Sequence, residues 1–546
     1  VARRRPRGRL TLGPVVGHTD HESTRIWIQV PDDPDRYFLR VIGVGLFKFA
    51  GTEDGAVEFG TAIVRIDGLE SDRSYRYRVV RAGRFVPGGE GSFRTFPHPQ
   101  SMANLLFCAI SCSGAKTLGA WEQLVEFVDA AKPAFILMMG DQVYLDEDEP
   151  DAFATHRHSD KATRRLAIAN MYRDNWSRGP VQHILANLPT YMIWDDHDIR
   201  DGWGSLASDS PTLAERFPRG RAIFRMCSEF FEDTRDIYWH FQGCRNPRPG
   251  DSPDPGLPNY IDGLLPPGVR LGMPFAFRCG RLTLLVLDAR GERDVFRRER
   301  PVLGTRQWQF VDDVLAGLGT DVDALAVVTP TALVSQDPDG QTQRLLGDRT
   351  DDIDAFAQGD EEALFSLSST TDKVELVKSI ISANISNGLG LQPNFGEFKL
   401  SSIDEARDQW SHRFCRPEQQ ELLTKSFAAR LVQRPPGIAR SLLFLSGDLH
   451  IGCIFDLSAS GGRGEAVSLT SSGISQIETV QPVVGTFVDQ EFTAAPGIRA
   501  TLREVVNNFN FGVVQVQPTG HGAVIQPVLA HEGEAVAWGL EIEGLF

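Results

Sequence analysis

Two textures of apolar and polar positions divide the chain. Up to about residue 95 the apolar residues fall in short runs with turn residues between them, as in Arg25-Ile-Trp-Ile-Gln-Val30 and Ser74-Tyr-Arg-Tyr-Arg-Val79. Both read as half-buried strands, because successive side chains of a strand point to opposite faces. From about residue 103 the runs become continuously apolar and alternate with helical spacing, the signature of an α/β arrangement. Leu105-Leu-Phe-Cys-Ala-Ile110 is predicted as a buried strand, and residues 121–130, with Leu124, Phe127 and Val128 on one side, as the next helix. Further strands are expected at 135–139, 191–194, 282–287, 326–328 and 442–445. Past Phe509 the pattern is β-rich again, at 512–516 and 523–527, which predicts a second sheet with antiparallel strands.

Within the first texture, Leu69-Glu-Ser-Asp-Arg-Ser-Tyr75-Arg-Tyr77 is similar to the tyrosine corner of fibronectin type III or immunoglobulin-like sandwiches, where a buried Tyr hydroxyl bonds nearby backbone. Residues 1–97 are therefore expected to form an all-β sandwich domain. Phe96-Pro-His-Pro-Gln100 serves as the linker, since two prolines so close resist helix and strand alike. Residues 98–546 then form the α/β domain. Inside it, residues 336–405 turn polar and acidic around one amphipathic stretch at Val374, Val377, Ile380 and Ile381, and are expected to be an insertion.

Composition narrows the function classes. With 41% hydrophobic and 23% charged residues, a chain of 546 residues can bury a large core without covalent staples. The excess of 72 acidic over 56 basic residues, a formal charge of -16, argues against a broad nucleic-acid platform. Seven scattered cysteines with no C-x-x-C spacing suggest neither a disulfide framework nor a zinc ribbon. No apolar run is long enough for a transmembrane helix. The five arginines between Val1 and Leu10 hint at a twin-arginine export signal, but no apolar segment comes after them, so a frayed basic terminus is expected.

The chemistry lies in the loops into which the strands run: Ser111-Cys112-Ser113-Gly114, Gly140-Asp141-Gln-Val-Tyr144, Asp195-Asp196-His197-Asp198 and Gly447-Asp448-Leu-His450. In open α/β sheets, sites assemble outside the carboxyl ends of strands, so these clusters can converge. Two cations ~3.5 to 4 Å apart can share a bridging carboxylate, clamp a phosphate and generate hydroxide near neutral pH. Carboxylate oxygens favour calcium, manganese or magnesium, whereas a phenolate and a thiolate favour ferric iron or another transition metal. Each element has a plainer reading: Gly140-Asp141 as a turn, Cys112 as a buried small side chain, Asp195 and Asp196 as a helix cap, Tyr144 as a core aromatic and His450 as a hydrogen-bonded histidine. Their joint occurrence at successive strand ends outweighs these. His156 and His158 lack such context and read as solvated.

The ordered set, with Leu287-Asp-Ala-Arg290, Leu303-Gly-x-x-Gln307-Trp308 and Asp408-x-Trp410 in support, resembles the PhoD-like alkaline phosphatases, a branch of the calcineurin-like metallophosphoesterases. The resemblance implies a two-sheet sandwich flanked by helices and hydrolysis of phosphate monoesters or diesters by metal-bound hydroxide. It implies Cys112, Asp141, Tyr144 and His450 around ferric iron, Asp141 as the bridge, and Asp196 and Asp448 around calcium, with manganese, magnesium or zinc as alternatives. His197 would act on the leaving oxygen, and export to the periplasm or beyond would be usual. The first motif lacks D-x-H and the last lacks G-H-x-H. The continuation Ile199-Arg200-Asp201-Gly202-Trp203 also departs from the family's Asn-rich pattern. Arg200 suits either a phosphate oxygen or an ion pair with Asp198 or Asp201. A competing reading is a non-catalytic binder of a surface polymer, with the metals structural.

Overall fold

The structure, a computed structural model, describes residues 9–52, 58–148, 151–251, 258–261, 263–340, 351–366, 407–459, 465–477, 488–519 and 521–531. The leading part is two four-stranded sheets. One has the order Leu12–Thr19, Thr24–Gln29, Thr61–Ile66, Ala50–Gly51, and the other Gly45–Lys48, Tyr37–Val41, Ser74–Arg81, Arg84–Arg94. Between them Val16, Ile26, Ile28, Leu39, Tyr77, Val79 and Phe93 form one apolar core. The Glu70 amide donates to the Tyr75 hydroxyl at 2.9 Å, the loop-to-strand bond expected of a tyrosine corner.

The Thr24–Gln29 strand does not show the half-buried pattern expected of it: all six residues are buried. The reason is Trp27, which leaves the sandwich core and packs edge-on against Trp176 while its indole Nε1 donates to the His240 carbonyl at 2.9 Å. Arg25 adds an ion pair with Asp251, and the Tyr77 hydroxyl donates to the Ala186 carbonyl at 2.7 Å. A buried aromatic with its N–H satisfied joins the leading sheets firmly to the helices behind them.

Two further sheets face each other. The five-stranded sheet runs Thr190–Ile193, Ile136–Met139, Leu105–Ile110, Asn510–Pro518, Ala523–His531, its first three strands parallel and its last two antiparallel. The eight-stranded sheet runs Phe275–Cys279, Leu282–Val286, Ala324–Val328, Ser441–Ser446, Ala466–Thr470, Gly452–Ala459, Ile498–Val506, Glu491–Ala495, with parallel pairing from its second to its fifth strand. The alternation explains the continuous apolar runs. Leu282, Leu284 and Val286 point into the core shared with the five-stranded sheet, while Leu285 and Leu287 point outward beneath the helices Gly304–Ala316 and Arg416–Ala429.

The helices Lys161–Trp176 and Arg221–Phe241 pack together, and the first is not evident from periodicity alone. Their contact buries charge: Arg164 Nη2 lies 2.8 Å from Asp233 Oδ2, with Arg165 beside it, so the apolar stripe of the first helix is broken. Of the acidic insertion, the described residues form the helices Asp351–Gln358 and Glu361–Ser366, and the stretch at 374–381 lies outside them. All seven cysteines are buried, and none forms a disulfide. Among the described residues no helix is long and apolar enough to cross a membrane.

Candidate metal centre

The parallel strands of both sheets end on one rim, and the loops that leave them meet there. Gly447 lies so close to Ser111 that a Cβ would sit 2.3 Å from its Oγ. Gly140, at φ 97°, leaves no room either, since a Cβ would fall 2.4 Å from that of Asp195. Four side-chain-bearing residues of the rim, Cys112, Asp141, Asp448 and His450, hold left-handed backbone with φ of 60°, 54°, 76° and 56°. Such conformations cost roughly 1–3 kcal/mol each and persist where the surroundings enforce them, commonly at functional sites.

The rim brings together the sequence-predicted residues in two adjoining groups. In the first, donor atoms of Cys112, Asp141 and His450 lie within 4.8 Å of one another. The Tyr144 hydroxyl is 3.0 Å from His450 Nε2, and Cys112 Sγ is 3.5 Å from Asp141 Oδ2. Burial pushes the Cys112 thiol up, but the His450 charge and contacts with His450, Ser111 and Ser472 outweigh it and bring the thiol down to about 6. Asp141 is held well above the usual carboxylate range by burial, then by the charges of Cys112 and Asp196.

In the second group, Asp196, Asp408 and Asp448 offer oxygens within 4.8 Å of one another, and Asp141, Asp195 and Asp196 link the two groups. A fully buried guanidinium lies beside them. Arg290 pairs with Asp195 through Nε and grips Asp408 with Nη1 and Nη2 at 2.5 and 2.7 Å. Its Nη2 also lies 3.4 Å from Asp196 and 3.7 Å from Asp448. Arg407, the residue before Asp408, is tied to the insertion. Asp352, on the helix Asp351–Gln358, accepts from both terminal nitrogens of Arg407 at 2.7 and 3.0 Å, and from the Ala207 amide at 3.0 Å.

His197 stacks on Tyr144 with ring centroids 4.4 Å apart, and its Nδ1 is 2.9 Å from Asp146 Oδ1. Burial pulls its pKa down, yet the charges of Asp146 and Asp196 leave it raised well above the ordinary value. Arg200 is turned elsewhere. Its Nη2 holds both Asp209 oxygens at 2.6 Å and its Nη1 donates to the Asp201 carbonyl, so its ion pair is with Asp209 rather than with the side chain of Asp198 or Asp201. Asp146, Asp195, Arg290 and Asp408 received no role from the sequence. For Arg290 and Asp408 the available signal was their place in the supporting motifs.

The donor sets suit cations. Among the described residues Asp141 Oδ1 and Asp196 Oδ1 are buried and accept no hydrogen bond, and only Asp196 has a positive partner, Arg290 at 3.4 Å, so the buried Asp141 oxygen in particular is costly without a cation. The Asp195 and Asp448 carboxyls are also held high, foremost by burial, with the Asp196 charge adding to it. A thiol, a phenol and an imidazole on one side match a transition metal, and carboxylates alone on the other match a hard cation.

No curated protein sequence matches this chain. A solved structure of PhoD aligns over 97% of this chain and 92% of its own, with 13% identity and a TM-score of 0.55. A purple acid phosphatase, PPD1 from yellow lupin (Lupinus luteus) seeds, aligns over 95% and 72% respectively, with 9% identity and a TM-score of 0.47. At such identities the likeness to PhoD concerns the fold, a mixed α/β architecture with several sheets. The profile of the PhoD-like phosphatases matches residues 107–520, a span containing every strand-end cluster described above, and the chain belongs to that family of phosphatases.

Proposed function

We propose that this chain hydrolyses phosphate monoesters, diesters or both at the rim, where Cys112, Asp141, Tyr144 and His450 would hold a transition metal, ferric iron by its donors. Asp196 and Asp448 would hold a harder cation, calcium, with Asp141 available to both. The carrying observation is that Asp141 and Asp196, from different strand ends, each present a buried oxygen without a hydrogen bond to the same small volume. Two cations bound there would polarise the phosphoryl oxygens and activate water near neutral pH. Asp408 has both oxygens on Arg290, which favours a supporting role over ligation.

His197 is the proton donor to the leaving oxygen in this reading. Asp146 on Nδ1 fixes the ring and favours its charged form, leaving Nε2 to act. Arg200, engaged by Asp209, braces the loop after His197, and its phosphate contact becomes a secondary possibility. Residues 1–97 form a fibronectin type III-like module ahead of a metallophosphoesterase two-sheet core, 98–546, interrupted by the insertion 336–405.

Replacing Asp141 by Asn removes a buried carboxyl with no positive partner, and replacing Asp196 by Asn leaves Arg290 its contacts with Asp195 and Asp408, so both variants should stay folded. Turnover of p-nitrophenyl phosphate and bis(p-nitrophenyl) phosphate should nevertheless fall by roughly a thousandfold, the scale on which lost electrostatic stabilisation acts. Full activity in either variant removes the assignment.

A further inference from the structure

The sheet Gly45–Lys48, Tyr37–Val41, Ser74–Arg81, Arg84–Arg94 buries one face on the sandwich core and turns the other to solvent. A solvent-facing side of an antiparallel sheet is ordinarily polar. Here Leu46 stands opposite Arg40, Arg40 opposite Arg78, and Phe85 opposite Val80, so large apolar side chains and arginines share the outer face. Leu46 and Phe85 are 49% and 58% exposed, and the hairpin turn between the first two strands adds Ile42 and Val44 at 47% and 41%. Single exposed apolar residues are common, but four on one small sheet, set among arginines, mark a contact surface.

The charges point to the kind of contact. Arg40 directly opposite Arg78 places like charges side by side, an arrangement that weakens a sheet. Arg40, Arg76 and Arg78 form no ion pair among the described residues, whereas their neighbours Lys48, Arg73, Arg81 and Arg94 each hold a carboxylate. Glu90 stands opposite Arg78 without pairing with it, and the Arg78 guanidinium lies over the Phe85 ring, 4.8 Å from its centre. All this occurs in a chain whose net charge is -16.

We propose that this face docks the protein on an anionic phospholipid bilayer. Arg40, Arg76 and Arg78 meet headgroup phosphates, and the projecting Ile42, Val44, Leu46 and Phe85 enter the boundary between headgroups and acyl chains. A bilayer suits a projecting turn and a flat sheet because it asks for no shape-matched pocket. A polynucleotide would leave the aliphatic side chains without a partner. The acidic remainder of the molecule does not forbid the contact, since at physiological salt charges are screened over about 8 Å and the bilayer senses the face nearest to it. Docking is independent of the phosphatase reading, and either can fail alone.

Vesicle flotation with the full chain tests the proposal, using phosphatidylcholine alone and phosphatidylcholine with phosphatidylglycerol. The parent should float only with the anionic vesicles, less as salt rises. Replacing Arg40 and Arg78 by Gln together should weaken binding roughly thirtyfold, about fivefold for each arginine near the anionic surface. Replacing Ile42 and Leu46 by Ser should weaken it as well, while turnover of p-nitrophenyl phosphate and the melting temperature stay at parent values in both double variants. No flotation with anionic vesicles at low salt would overturn the proposal. So would a serine variant that floats like the parent, because Ile42 and Leu46 would then not enter the bilayer as proposed.

Discussion

The two halves of the candidate centre balance their charge in different ways. Around Cys112 the groups in contact are the Ser111, Ser472 and Tyr144 hydroxyls, the Asp141 carboxyl and the His450 ring, with no arginine or lysine among them. Around Asp195, Asp196, Asp408 and Asp448 a fixed guanidinium, Arg290, already supplies one positive charge. With His450 already lowering the Cys112 thiol, the group left in the first half for a bound cation to settle would be Asp141. The second has a built-in cation that competes with any metal for the same carboxylates, and its metal should be held less tightly and leave first under a chelator.

The sharpest way to break this contrast is to remove the guanidinium. Replacing Arg290 by Met leaves Asp195 and Asp408 buried without their partner, and stability should fall by about 3–5 kcal/mol, read by chemical denaturation. An unchanged midpoint would mean that Arg290 does not neutralise that half. Next in size is Asp146→Asn, which takes the carboxylate from His197 while leaving both donor sets untouched. It should lower kcat by about ten- to hundredfold with KM nearly constant, and hurt alkyl phosphates more than nitrophenyl phosphates, because a poor leaving group needs the proton most. Equal loss on both substrates would point to a structural role. The smallest effect is expected for Cys112→Ser, which keeps a weaker, harder donor in place. Activity should drop only about tenfold while elemental analysis finds the transition metal depleted and the harder cation retained.

Much of this site was legible because buried strands print as continuous apolar runs, and a run that stops at Gly140-Asp141 or Gly447-Asp448 announces where the chain turns. The helix expected at 121–130 is observed at Trp121–Ala131 for the same reason. What escaped was charge that the fold hides. Arg290 is fully buried although arginine is ordinarily a surface residue, and only the structure supplies the carboxylates that make its burial tolerable. Asp146 lies beside Glu147 and Asp148 in an acidic run, a pattern that usually marks a solvated loop. Arg200 found Asp209 because the short 3-10 turn Ala207–Asp209 folds back onto it, a proximity absent from any local spacing rule. The backbone at Cys112, Asp141, Asp448 and His450 is likewise invisible in sequence, since none of them is glycine or asparagine.

Anomalous X-ray scattering from crystals of the purified protein, recorded on both sides of the iron edge, would show whether two unlike cations share Asp141. Two peaks flanking Asp141 are expected: one beside Cys112, Tyr144 and His450 that vanishes below the iron edge, and one beside Asp196 and Asp448 that does not. A single peak, or two peaks away from Asp141, would contradict a shared site.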